Sequence, residues 1–375
     1  MSACPHRPPC SACPRFGAPG IAPAAASALE LLARAHGLFD VPIVSGHLTG
    51  FRLRARLAIR GRLGSPKIGL FELGSHRVVH VPNCRVHHPL INRVAGIVRR
   101  ALVDARIPCY SDAAHEGFAR YLQVAIERSS QRAQVVLVAN SATPDPLAEC
   151  LELIRARLGA DLHSLWFNAQ CSRSNAILGP HFHHWCGDSS IIERFGGANV
   201  HYPPGAFGQS NPEIAELIID HIRERIPSGA RVAEFYAGSG AIGLSILTRA
   251  SSLLMNEASP HALVGLEQGL ADLDLASRQK VRVVGGTAGA AAALAAASDV
   301  IVVDPPRKGL DSELLAFLAE TPPPSLIYVS CGLESLVADS ASLTRSARLR
   351  LVQLTAFNLF PFSEHVETMA CFERA

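Results

Sequence analysis

Nowhere in the 375 residues is there the run of ~20 apolar residues that a bilayer-spanning helix requires. The most apolar helix-like stretch, "IAPAAASALELLARAHGLF", is interrupted by Glu30 and Arg34, so no span is expected there. The first fifteen residues are rich in cysteine, proline and arginine and lack an apolar centre, so a secretory leader is not expected and the cytoplasm is the expected compartment. Charge of one sign is also scarce overall, with a formal net charge of +3.

The distribution of that charge is uneven. Residues 1–132 hold 18 Lys and Arg against 7 Asp and Glu, a net +11, and the remainder holds 17 against 25, a net −8. A basic first third on an acidic remainder implies a polyanion-binding part joined to a part with another task. Ten cysteines in a reducing compartment point away from a disulfide framework and toward metal ligation, catalysis or packing. The length exceeds what one core usually serves, so two domains are expected, 1–204 and 205–375.

In the first part "FRLRARLAIRGRL" (51–63) alternates as a strand, with Arg52, Arg54 and Arg56 on one face, spaced to follow successive phosphates. Further strand-like runs, "KIGLF", "RVVHV" and "QVVLVA", are separated by helical patterns, which reads as an α+β domain. From about residue 212 helix and strand alternate regularly for the rest of the chain. That rhythm predicts an α/β, doubly wound, mainly parallel Rossmann-like sheet with ligands at the carboxyl ends of its strands.

Three such strand ends carry chemistry. "EFYAGSGAIG" (234–243) places Gly238, Gly240 and Gly243 in a G-x-G-x-x-G turn, suited to a dinucleotide enzyme or to an S-adenosylmethionine methyltransferase. Glu257, ending the next strand, can accept from ribose hydroxyls in either case. "VVDPPRKG" favours the methyltransferase, because two prolines stop the strand and hold the Asp304 carboxylate over its end. The third strand end, "YVSC", exposes the thiol of Cys331.

With "GAFGQSN" (205–211), "EFYAGSGAIG", "NEASPHA", "DPPRKGL", "YVSC" and "LFPFSEHVE" in this order, the chain resembles the RNA uracil-5-methyltransferase family. It resembles the shorter branch that lacks the N-terminal TRAM barrel and acts on 23S ribosomal RNA. The resemblance implies Cys331 as the nucleophile that adds to uracil C6 and Glu367 as the base that removes the C5 proton. Gln209, Tyr236, Gly238, Glu257 and Asp304 are implied as S-adenosyl-L-methionine contacts. Cys4, Cys10, Cys13 and Cys84 look like the family's four-thiolate [4Fe-4S] site, and their spacing alone fits zinc as well. Structured RNA is the implied partner, ribosomal RNA before transfer RNA, and the chain is expected to be a monomer with no membrane association.

Three positions depart from the family pattern: Gly332 in place of asparagine, Asn358 in place of aspartate and Thr287 in place of an acid. They are the sequence argument for a catalytically silent RNA-binding paralogue. A nicotinamide oxidoreductase is a third reading, which leaves Cys331, Glu367 and the basic strand without a role. Cys109, Cys150, Cys171, Cys186 and Cys371 show no partners in the sequence and are expected to pack.

Overall fold

The computed structural model of the chain describes residues 4–375. In chain order its elements are α1 (Pro23–Ala35), β1 (Ile43–Val44), β2 (Arg54–Arg62), β3 (Ser65–Phe71), β4 (Val78–His80), α2 (Pro89–Asp104), β5 (Ala119–Glu127), β6 (Arg132–Ala139), α3 (Ala148–Leu158), β7 (Leu162–Ala169) and β8 (His181–Gly187). They continue with β9 (Ile191–Phe195), β10 (Ala198–Tyr202), α4 (Pro212–Arg225), β11 (Ala230–Phe235), α5 (Ala241–Ile246), β12 (Ala250–Glu257), α6 (Pro260–Ala271), α7 (Leu275–Gln279) and β13 (Val281–Gly285). The last are α8 (Ala288–Ala291), β14 (Val300–Val303), α9 (Ser312–Glu320), β15 (Ser325–Ser330), α10 (Leu333–Thr344), β16 (Leu349–Phe357) and β17 (Glu367–Arg374).

Two compact units divide these elements. One holds the chain up to Gly17, His47–Glu193 and Tyr202–Pro212; the other holds Ala18–Gly46, Arg194–His201 and Glu213–Ala375. The expected division at 204/205 is linear, whereas the compact units interleave, because β1 pairs with β16 and α1 packs in the core of the second unit.

The first unit is a seven-stranded sheet in the order β4-β3-β2-β5-β6-β7-β8. All its pairings are antiparallel except β6 with β7, which are parallel and joined through α3. Helix α2 starts at His88, whose side chain accepts from the Leu90 N–H, with Pro89 pre-set at the first helical position. Leu90, Ile91, Val94, Val98, Ala101 and Leu102 recur at helical spacing and bury one face against the apolar side of this sheet.

In the second unit the eight-stranded sheet runs β1-β16-β17-β15-β14-β11-β12-β13. Strands β11 to β15 are mutually parallel, as expected, and β17 lies antiparallel between β15 and β16. All four residues of β14 are buried, as befits a parallel strand covered on both faces. The order reverses between β11 and β14, so their carboxyl ends form a topological switch point, where open α/β sheets take their ligands. No described helix is long and apolar enough to cross a membrane.

Candidate active site

The glycine turn leaves β11 at that switch point. Tyr236 takes a positive φ of 61°, uncommon for a residue with a Cβ, and Gly238 and Gly240 follow at 58° and 88°. Asp311 holds Tyr236 in place: the tyrosine hydroxyl donates to Asp311 Oδ2 at 3.3 Å and accepts from the Asp311 N–H at 3.1 Å. A Cβ on Gly238 would meet nothing within 4 Å, so the turn faces open space. The Gly238 N–H donates to Glu257 Oε2 at 2.7 Å, while Glu257 Oε1 accepts from the N–H groups of Ala258 and Ser259 at 2.8 and 2.6 Å. A fixed carboxylate beside an open glycine turn fits the ribose of a nucleoside-bearing ligand.

Behind the turn lies a carboxyl that the sequence reading passed over. Glu234 is 2% exposed, its Oε2 has no hydrogen-bond partner among the described residues, and a Cβ at position 243 would come within 2.2 Å of that oxygen. Burial, then Asp304 and Glu257, raise its pKa well above the ordinary glutamate value. The sequence signal was its place at the head of "EFYAGSG", directly before the turn.

Asp304 follows β14, and enclosure pushes its carboxyl up to about 7. The loop beyond it is tied down: the Gly309 N–H donates to the Pro306 carbonyl at 2.9 Å, and the Ser335 hydroxyl donates to the Arg307 carbonyl at 3.0 Å. Cys331 follows β15 and is half-buried. Ser330 pairs with Thr368 in the antiparallel ladder, and one further step of that register sets Cys331 opposite Glu367.

Glu367 is 2% exposed, with Oε1 buried and lacking a hydrogen-bond partner among the described residues. Burial first, and then Asp304, lift its carboxyl well above the usual range, while Arg307 acts in the opposite direction. The Cys331 thiol is pushed up to about 11 by burial, then by Glu367 and Asp304, and Arg307 again opposes the shift. The three acids are thus within electrostatic reach of one another, with one guanidinium that favours ionisation of both the thiol and Glu367.

The family departures have local causes. A Cβ at Gly332 would lie 2.5 Å from the Arg307 carbonyl oxygen and 2.8 Å from Ser335 Oγ, so the close approach of the two loops needs glycine as they stand. Thr287 caps α8 by accepting from the Ala290 N–H. Asn358 is buried and its backbone N–H donates to the Val44 carbonyl at 2.8 Å, while its Oδ1 lacks a partner among the described residues.

Gln209 belongs to the first unit, half-buried in the loop between β10 and α4. In the same unit Cys4, Cys10, Cys13 and Cys84 line one cavity of about 210 Å³ together with His6, Arg52 and His87. The Cys13 thiol is pushed up to about 11 by burial and then by Cys84, Cys10 and Cys4, so these thiols sense one another. Among the described residues, however, no group of three or more His, Cys, Asp or Glu is arranged to hold a metal ion. Of the cysteines expected to pack, Cys150 and Cys371 are buried, whereas Cys171 is exposed.

The three arginines expected on one strand face line a common cavity, and each is engaged by neighbours. Strand β2 begins only at Arg54, whose guanidinium lies 4.2 Å from the centre of the Tyr202 ring; Arg56 Nε donates to Gln123 Oε1 at 2.8 Å, and Arg52 faces the thiol cavity. Alternation along a strand fixes which side chains share a face and says nothing of what packs on it.

A family model described as tRNA (Uracil-5-)-methyltransferase matches residues 293–375, and one described as Conserved hypothetical protein 95 matches 213–332. An uncharacterized RNA methyltransferase of Protochlamydia amoebophila is 33% identical over 335 residues, covering 88% of this chain and 87% of its own. One of Enterococcus faecalis is 26% identical over 330 residues, covering 86% and 71%. The crystal structure of Pyrococcus abyssi tRNA (uracil-54, C5)-methyltransferase in complex with S-adenosyl-L-homocysteine shares the fold, with a TM-score of 0.75, 21% identity and coverage of 92% of this chain and 81% of that one. With a relative this similar along most of both chains, and with the tRNA (Uracil-5-)-methyltransferase model matching the segment that contains Asp304, Cys331 and Glu367, the chain belongs to the RNA (uracil-5-)-methyltransferase family.

Proposed function

We propose that this methyltransferase modifies C5 of a uridine in structured RNA, by preference 23S ribosomal RNA, with Cys331 as nucleophile and Glu367 as base. The observation that carries the reading is the pair itself: a half-buried thiol at the end of β15, opposite a buried carboxyl whose Oε1 has no hydrogen-bond partner among the described residues. Transfer RNA is the second reading, favoured by the match of residues 293–375 to the tRNA (Uracil-5-)-methyltransferase family model.

S-adenosylmethionine, when bound, supplies an electrophilic methyl group on a sulfonium. The open turn at Gly238 and the fixed Glu257 carboxylate fit its nucleoside part, and Tyr236 and Asp304 of the same unit are further proposed contacts; Gln209 keeps the contact that the family resemblance implies for it. Cys331 adds as thiolate to uracil C6, which makes C5 carbanion-like and able to take the methyl group. Glu367, as carboxylate, then takes the C5 proton; the C5–C6 double bond re-forms and the thiolate leaves. Both groups must be ionised for this sequence, and Arg307 is the cation that favours ionisation of each. The target base must leave its stack to reach a thiol at a strand end, as in other enzymes that act on bases.

Cys4, Cys10, Cys13 and Cys84 are proposed to hold a [4Fe-4S] cluster, zinc being the alternative for the same four sulfurs. The gathering of the four thiols around one cavity, with Cys13 and Cys84 pushed up by burial and by their neighbours, supports it. The protein is proposed to act as a monomer in the cytoplasm, where free thiols persist. The deciding experiment supplies labelled methyl donor and uridine-containing ribosomal or transfer RNA to the purified protein and to Cys331→Ala. Label at uridine C5 with wild type and none with the variant is expected; RNA binding without methyl transfer by wild type would identify a silent paralogue.

A further inference from the structure

The first unit contains a second cavity, of about 260 Å³, with no carboxylate in its lining. Arg52, Arg54 and Arg56 line it, with Gln123, Gln134 and Ser210 as polar neighbours. Arg52 lines the thiol cavity as well, so Arg54 and Arg56 are the two cations that give this space its positive character. Burial, the largest influence on each, disfavours their charged forms, and Arg54 adds like-charge repulsion on Arg56.

The frame that holds these side chains is built rather than incidental. Arg54 stacks on the Tyr202 ring at 4.2 Å, and its guanidinium carbon lies 2.6 Å from where a Cβ on Gly208 would be. The Leu53 N–H donates to the Ser210 carbonyl at 2.8 Å, which pins the loop carrying Gly208 to the start of β2. Arg56 is oriented by Gln123, whose own Nε2 donates to the Pro204 carbonyl at 2.6 Å. The acid that acts on Arg54, Glu193, is already engaged with Arg128 Nε.

We propose that this cavity binds one phosphodiester of the substrate RNA, gripped by Arg54 and Arg56. The proposal rests on the RNA-methyltransferase reading and deepens it by naming where one backbone phosphate is held. A guanidinium fork suits a phosphate's paired oxygens, and a cavity of about 260 Å³ has room for one phosphodiester but not for a duplex.

The test uses binding, so that it stands whether or not methyl transfer occurs. A short single-stranded RNA oligonucleotide is made as a series, each member with one phosphate replaced by an uncharged methylphosphonate, and affinities are measured for wild type, Arg54→Met and Arg56→Gln. Wild type is expected to lose about tenfold or more at one position in the series. Both variants should lose that positional sensitivity and show a salt dependence shallower by about one unit in the log–log slope. Arg56 is exposed and its Gln variant leaves Tyr202 untouched, so the comparison does not depend on Arg54→Met folding. Uniform sensitivity in wild type, or an undiminished local effect in Arg56→Gln, would overturn the proposal. Inorganic pyrophosphate competing equally with wild type and Arg56→Gln would do the same.

Discussion

Cys331 faces Glu367 across the β15–β17 ladder, one step beyond the Ser330–Thr368 pair. The relationship exists because β17 runs back antiparallel beside β15, so that the first residue of one strand meets the residue after the last of the other. If the two share one reaction, they act at different stages of it and their variants must fail differently. Cys331→Ala should abolish both turnover and any covalent RNA–protein species. Glu367→Gln should lower turnover by about 10²–10⁴-fold and accumulate the adduct, since addition and methylation precede proton removal. Denaturing gels with labelled RNA read the difference, and an adduct with Cys331→Ala would remove the thiol from the mechanism.

The thiol is pushed up to about 11 by burial and its acidic neighbours, so at neutral pH it is protonated before substrate arrives. The rate under subsaturating RNA should therefore rise with pH through the neutral and mildly alkaline range. Arg307 is the cation that opposes this shift, and Arg307→Ala should move the rising limb to higher pH and slow the reaction most at the acidic end. Single-turnover rates between pH 6.5 and 9.5 provide the measurement; parallel profiles displaced only in amplitude would mean that Arg307 binds RNA without tuning the thiol.

Much of this arrangement was legible in the chain. The strand–turn–helix around Gly238 and the proline stop after Asp304 are local signals, because backbone freedom and ring constraint act within a few residues. Local patterning could not show that β17 inserts between β15 and β16, and that insertion creates the Cys331–Glu367 juxtaposition. Nor could it show that Ile43 and Val44, two residues only, extend the second unit's sheet. The enclosure of Arg54 was illegible for the same reason: Tyr202 and Gly208, which enclose it, lie about 150 residues along the chain and leave no trace in the alternation of β2.

Asp304 offers a stability test independent of activity. Its carboxyl is raised from 3.8 to about 7 in the folded chain, so the native state holds a proton that the unfolded state releases. Because folding binds this proton, the contribution is fully present below pH 3.8 and is lost as pH rises through about 7. Asp304→Asn should remove that pH dependence and raise the melting temperature relative to wild type most at pH 8. Equal melting temperatures for the two proteins at pH 8 would mean that the carboxyl is not destabilised by its enclosure.

Gly332 distinguishes a decayed position from a compensated one. As the loops stand, any side chain at 332 meets the Arg307 carbonyl and Ser335 Oγ. Gly332→Ala should therefore cost about 1–3 kcal/mol through overpacking and displace the loop that carries Arg307. Gly332→Asn, which restores the family residue, should do no better alone. Denaturant unfolding and methyl-transfer rates together decide: a stable and faster Asn variant would mean that the glycine is a loss rather than an adaptation of this loop.

The four-thiol cavity makes its prediction through charge. Cys13 is pushed up to about 11 because burial and three neighbouring thiols all disfavour its ionised form, with Arg52 the opposing influence. A bound cationic centre reverses that balance, since metal-coordinated thiols are deprotonated outright. Protein purified without oxygen should carry iron and sulfide with broad visible absorbance, and Cys10→Ser should lose most of both while keeping a folded second unit by circular dichroism. Stoichiometric zinc with no absorbance would replace the cluster by a zinc site on the same residues. Retention of neither metal, with Cys13 and Cys84 both alkylated rapidly in the native protein, would assign the four cysteines to packing, because thiols that hold a metal are shielded from such reagents until it is removed.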